Sequence, residues 1–475
     1  MNSRRYARQM LKLTLALLAL LAVPATAQPL TPAETAAIDR IVTTALASDQ
    51  VPSASIAIVR DGQIVLTKAY GTANTGLPAT PALPYQVASN SKQFTAMALL
   101  LLEDEGKLSL DDPVAKHLPG ISGGDRITLR QLLNHTSGIQ DFWPQDYSFE
   151  AMSRPTTPQG IVDIWAKKPL DFAPGDQWQY SNTGYVVAGM IAEKVSGQPL
   201  VTYLTRRIFK PLGMTSVRDQ DDTNTPAFPA GYGRYALGPV RQVTPPARGW
   251  LYGAGELSMT AEDLAKWDIA RINRSLIPAD DWAVQETTVK LNDGSDPGYG
   301  LGVGIRTVAG RKVVRHTGEA VGFLSSNSVW PAERAAVVVL TNTWSSGAYT
   351  RIARDIAAVV LPPPPAAPQD AIAAAQAARA RTVFDQLRAG ALDRALLTAN
   401  ANYYFTPQAI ADFHSSLAPL GEPTAFEPAG KPVLRGGFVI QGYTVKYPGR
   451  TLDLSTFYEP GASGRIEQFL VNPGE

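Results

Sequence analysis

The sequence predicts an α+β layered fold followed by a small α+β C-terminal domain. Three observations carry that prediction. Strand-like apolar runs lie at both ends of a long first segment, an apolar helix follows the first of them, and a run of four prolines precedes a strand-rich tail. Ser55–Val59 and Ile64–Lys68 flank Arg60-Asp61-Gly62-Gln63. An Asp-Gly pair between such runs is a hairpin signal, because a two-residue turn needs positive φ at both positions. Phe94, Met97, Ala98 and Leu101 recur at helical spacing, and Leu99–Leu102 leave that helix little polar surface, so it is expected to be buried. Gly106 ends it. Thr260 and Asp263 resemble a capping box opening a helix to about Ile272. Val313-Val314-Arg315 heads a strand, and Ala335–Leu340 reads as a buried strand. Strands at both ends with helices between them give the layered reading.

The tail opens with an Ala-rich helix, Ala371–Leu387, in which Val383, Phe384 and Leu387 mark one face. Gly437–Tyr447, Thr451–Tyr458 and Arg465–Val471 read as strands separated by Gly-rich turns. A helix on an antiparallel sheet, loosely cystatin- or NTF2-like, is the expected product. Tyr403, Tyr404 and Phe405 are expected in its core. Leu361-Pro362-Pro363-Pro364-Pro365 can be neither helix nor central strand, so residues 361–370 are expected to be a stiff linker between a domain at 28–360 and one at 371–475.

Composition narrows the chemistry. The 475 residues carry 43 Lys+Arg against 42 Asp+Glu, four histidines and no cysteine. Disulfides, thiolate nucleophiles and Cys-ligated metals are therefore excluded. No metal site or cofactor is expected, and the absence of a basic run argues against nucleic acid. Arg4, Arg5, Arg8 and Lys12 precede the apolar stretch Leu13–Val23, and Ala25-Thr26-Ala27 has the small-x-small form of a cleavage site. Residues 1–27 thus read as a signal peptide, and the protein is expected to be exported, periplasmic or secreted, with no membrane span after cleavage.

Without cysteine, a nucleophile must be an oxygen. Ser89-Asn90-Ser91-Lys92 is the one SxxK of the chain. Positions i and i+3 of a helix share a face, so the amine can reach the hydroxyl, and burial lowers a lysine pKa. A neutral amine beside a serine activates it without histidine. SxxK alone arises by chance about 0.8 times in a chain of this composition, so it means little by itself. Tyr180-Ser181-Asn182 and His316-Thr317-Gly318 are likewise single occurrences, and finding all three in this order is roughly a 0.02 event.

This trio resembles that of the β-lactamase-related serine hydrolases: class C β-lactamases, penicillin-binding proteins and their esterase and D-aminopeptidase relatives. The likeness extends to Lys107–Val114, Ile127–Ile139 (ITLRQLLNHTSGI), Ala173-Pro174-Gly175 and Gly253–Leu257. The resemblance implies a β-lactamase/transpeptidase-like fold, an antiparallel sheet flanked by helices plus a helical subdomain. It implies Ser89 as acylated nucleophile, Lys92 as base or proton relay, and Tyr180 as second proton shuttle. Which of Lys92 and Tyr180 is the primary base stays open. It further implies Asn182 as the amide that orients substrate and Lys92. The backbone N–H groups of Ser89 and Glu319 are the implied oxyanion hole. His316 departs from the lysine that β-lactamases carry there. With an unperturbed pKa of about 6.5 it is a weaker clamp for a substrate carboxylate, alongside Thr317 and Gly318.

The expected function is an exported serine hydrolase acting through an acyl-enzyme on esters, β-lactams or D-amino-acid peptides. A D-Ala-D-Ala carboxypeptidase is one alternative, and a non-catalytic penicillin- or peptide-binding sensor is another. The expected partner is a small-molecule or peptide substrate. Ser122 in Gly120–Gly124 copies a nucleophile elbow but lacks its strand and helix. His135 is expected to be structural, His117 and His414 to lie at the surface, and Trp250 with Tyr252 are candidates for a pocket wall.

Overall fold

The computed structural model describes residues 27–361 and 371–474, apart from 146, 236, 237, 309, 345 and 436. Most of the expected signal peptide and linker therefore lies outside the described residues. The chain divides into two compact units, residues 1–364 and 365–475.

In the first unit, helix α1 (Pro32–Asp49) leads into the hairpin β1 (Ser53–Arg60) and β2 (Gln63–Asn74). Asp61 and Gly62 have φ of 54° and 76°, the paired positive values that the Asp-Gly turn requires. A two-residue strand, β3 (Leu77–Pro78), turns back to pair antiparallel with the end of β2. Helix α2 (Lys92–Asp104) is buried from Lys92 to Leu102, as its apolar sequence predicts. Helices α3 (Asn182–Ser196) and α4 (Ala261–Asn273) follow, the latter capped by Thr260 Oγ1 accepting from the Asp263 N–H. The expected capping box is only half formed, since the Asp263 carboxylate accepts instead from the N–H and hydroxyl of Ser216. Strands β4 (Gly304–Val308), β5 (Arg311–Ala320), β6 (Phe323–Trp330) and β7 (Ala335–Thr341) and helix α5 (Ala348–Val360) complete the unit.

The seven strands form one antiparallel sheet in the order β3-β2-β1-β7-β6-β5-β4. Strand β7 is central, and its unbroken AAVVVL run reflects burial on both faces. Ala336, Val338 and Leu340 face a large core shared with α2, α3 and α4, whereas Val337 and Val339 face a layer formed by α1 and α5. This β1–β7 pairing joins the two ends of the unit, with Ala54 opposite Thr341.

The second unit has helix α6 (Ala371–Arg388), two short helices and a four-stranded antiparallel sheet. Its strands are β8 (Ala425–Arg435), β9 (Phe438–Tyr447), β10 (Arg450–Tyr458) and β11 (Ile466–Pro473). Strand β8 escaped the sequence reading because Pro428, Gly430 and Pro432 interrupt it; as an edge strand it tolerates them. Of the expected aromatic core cluster only Phe405 is buried, with Tyr403 90% exposed and Tyr404 51% exposed.

Candidate active site

Strand β5 runs past the start of α2, and the site lies between them. The turn carrying Ser89 is tight: Ala88 sits at φ 48°, and residues Ala88–Ser91 form a 3-10 turn before α2 begins at Lys92. Ser89 therefore lies in that turn, ahead of the α-helix. The turn is pinned from β6, where the Ser325 hydroxyl donates to the Val87 carbonyl and accepts from the Asn90 amide. Gly318 is required opposite it, since a Cβ there would lie 2.1 Å from the Val87 carbonyl oxygen. Ser325 and Asn327 thus act as scaffolding, with Asn327 donating to Asp268.

The predicted residues converge. Lys92, fully buried, donates to Ser89 Oγ at 3.0 Å, to Asn182 Oδ1 at 2.8 Å and to the Ala254 carbonyl at 2.7 Å. Burial lowers its pKa to about 7, partly offset by the nearby negative charge of Asp141. Tyr180 lines the same cleft as Ser89, and its ring centroid lies 4.8 Å from Lys92 Nζ. Burial raises the Tyr180 pKa further above its ordinary value, which disfavours a phenolate. Asn182 sits in the first turn of α3, whose N-cap is Ser181.

His316 is deeper than a substrate clamp should be. It is 8% exposed, and its Nδ1–H donates to the Thr317 carbonyl at 2.5 Å, so Nε2 accepts from the Tyr299 hydroxyl at 2.8 Å. Burial, and secondarily the charge of Lys92, push its pKa down to about 3. The ring is neutral at any working pH. His316→Lys is accordingly expected to place a second ammonium near Lys92. It should lower KM for carboxylate-bearing substrates roughly tenfold, the scale of one added charge contact. It should also move the acid limb of the kcat/KM profile to lower pH. An unchanged KM at pH 8 would show that position 316 does not reach substrate.

Three residues of the site were not singled out from sequence in these roles. Asp141 accepts from the Asn182 N–H at 2.9 Å and from Asn182 Nδ2 at 3.2 Å, fixing which way that amide points. Its own pKa is raised by burial, against the opposing effects of its hydrogen bonds and Lys92. Tyr299 holds His316. His135, at φ 65°, stacks 4.3 Å from the Tyr180 ring while its Nδ1 accepts from the Ser181 N–H at 3.1 Å. That acceptor nitrogen is thereby occupied, and His135 is a platform for Tyr180, not a triad base.

Ser89, Asp141, Tyr180, Asn182, His316, Thr317 and Glu319 line a cleft of about 450 Å³. Its apolar wall is Leu251, Ala320 and Trp143. Trp250, expected at that wall, is instead buried among Phe142, Phe149 and Trp165, and Tyr252 packs behind Leu251 against Gly189. His117 is also buried, bonded to Asp112 Oδ2 at 2.8 Å, whereas His414 is exposed as expected. Ser122 lies in a turn with its N–H on the Ala166 carbonyl. Among the described residues no group of three or more His, Asp or Glu is arranged to hold a metal ion, and no helix is long and apolar enough to cross a membrane.

The family model described as "Beta-lactamase" matches residues 38–361. The chain is 32% identical to PbpX of Bacillus subtilis (strain 168), whose name places it with penicillin-binding proteins, over 61% of this chain and 70% of PbpX. It is 31% identical to protein flp of Staphylococcus aureus (strain N315) over 64% of this chain, and spans only 62% of flp. A D-stereospecific amidohydrolase from Streptomyces sp. superimposes with a TM-score of 0.58 at 31% identity, covering 67% of this chain and 96% of that structure.

Proposed function

The chain belongs to the β-lactamase family of serine hydrolases, and from that premise we propose that it is an exported hydrolase which acylates Ser89 and releases the acyl group to water. The observation that carries the reading is the 3.0 Å contact between Lys92 Nζ and Ser89 Oγ, with Lys92 poised near pH 7. Neutral Lys92 takes the Ser89 proton as Oγ attacks the substrate carbonyl. The N–H groups of Ser89 and Glu319 receive the oxyanion. Tyr180 passes a proton to the leaving group, and the same groups then activate water against the acyl-enzyme. Lys92 is the primary base in this scheme, because burial makes its neutral form accessible and makes the Tyr180 phenolate costly.

The substrate we favour is an amide or ester of a D-amino acid or D-peptide without a free carboxylate next to the scissile bond. Neutral His316 supports this, since among the described residues no lysine or arginine lines the cleft and the buried Lys92 behind it is engaged. So does the likeness to the Streptomyces amidohydrolase. The signal-like residues 1–27 support export. A test is labelling of the intact protein with a fluorophosphonate, followed by peptide mass mapping and turnover of D- and L-amino-acid amides. An adduct on Ser89 with turnover of the D series is expected. An adduct on another serine, or labelling that persists in Ser89→Ala, would sink the assignment.

A further inference from the structure

We propose that the face of the sheet turned away from Ser89 carries a second site, which binds a long-chain fatty carboxylate. A cavity of about 480 Å³ opens between β5 and β6 on one side and α5 on the other. That size falls in the range of about 300–1,000 Å³ typical of small-molecule pockets. Its floor is apolar and buried, formed by Val313, Trp330, Ala353 and Ala357. Side-chain alternation along β5 creates it: Val314 enters the core around α2, while Val313 enters the α1/α5 layer, and Arg315 follows two residues on.

The charged residues that line this cavity are three arginines, two of which have acidic partners. Arg311 is held by Glu333 at 3.1 Å. Arg354 bonds Asp355, its exposed chain neighbour. Arg315 is paired through its backbone within the sheet, but it is exposed and its guanidinium makes no hydrogen bond or ion pair among the described residues. An apolar cavity with a guanidinium left over at its rim matches a single-chain amphiphile whose head is an anion. The planar fork of arginine fits a carboxylate with two parallel hydrogen bonds. Such a ligand would lie against the back of β5, whose His316 and Thr317 border both cavities.

The test is calorimetric titration of the full chain with dodecanoate and with dodecan-1-ol. Wild type is expected to bind dodecanoate saturably at one site per chain, and dodecan-1-ol more weakly. Arg315→Gln should weaken dodecanoate at least tenfold and leave dodecan-1-ol unchanged. Ala358→Phe, at an exposed position lining the cavity, should abolish binding of both. Either variant suffices if the other fails to fold. No saturable binding, or equal binding by all three proteins, overturns the proposal. So does a concentration-dependent dimer that Ala358→Phe dissolves in the absence of dodecanoate binding, which would assign the cavity to a second copy.

Discussion

Lys92→Met is expected to lower kcat/KM by about 10²–10⁴-fold, the range removed with a general base. The thermal midpoint should not fall with it. Lys92 is fully buried, and an ammonium held out of water is costly even when all its donors are satisfied. Methionine has nearly the same length without that cost. A structural role for Lys92 would instead lower activity and thermal midpoint together, so differential scanning calorimetry beside steady-state kinetics separates the two. In wild type, kcat/KM should rise with pH and level off above about 7, because a lysine with lowered pKa is the active base only after losing its proton. A profile flat from pH 6 to 9 would exclude Lys92 as the base.

Asp141→Asn should give the second largest effect, and a different signature. Asp141 touches no nucleophile in the structure; it acts through Asn182 and through its charge. An asparagine keeps one acceptor for the Asn182 N–H but sets a donor against Asn182 Nδ2, and losing that contact is expected to cost about 10²-fold in kcat/KM, the scale of a misplaced catalytic neighbour. The negative charge of Asp141 raises the Lys92 pKa, so its removal lets that pKa fall further. The acid limb of the profile should therefore shift to lower pH even as the plateau drops. Loss of activity with an unmoved limb would reduce Asp141 to a packing residue.

How far the sequence alone could reach depended on whether a feature was local. The Asp61-Gly62 turn, the buried helix after Ser89 and the β7 run are dictated by residues next to one another, and each appears within a few positions of its expected place. Ser89 and Lys92 are three residues apart, so their contact followed from helical geometry. Tyr180 and Asn182 were legible only through family likeness, because nothing local says that α3 begins beside α2. Asp141 was missed for the same reason: it is one of 42 acidic residues, and only the path of the loop after His135 aims it at Asn182. His117 was misjudged because its burial depends on Asp112, five residues earlier, turning back onto it. Trp250 was misjudged because Phe142, Phe149 and Trp165, distant in sequence, gather around it.

The three contacts of Lys92 have a stereochemical consequence. An ammonium has three N–H groups and no acceptor, and Lys92 spends one on each of Ser89 Oγ, Asn182 Oδ1 and the Ala254 carbonyl. Two of these partners can only accept: the Ala254 carbonyl, and the Asn182 amide oxygen, which is turned toward Lys92 because Asp141 holds the amide nitrogen on the other side. A hydroxyl alone can reverse its role. When Lys92 loses a proton, the two obligate acceptors keep the two that remain, and the vacated lone pair is left facing Ser89. Deprotonation and aiming are then a single event, and the direction of the base is decided by counting hydrogens, with no side chain having to move.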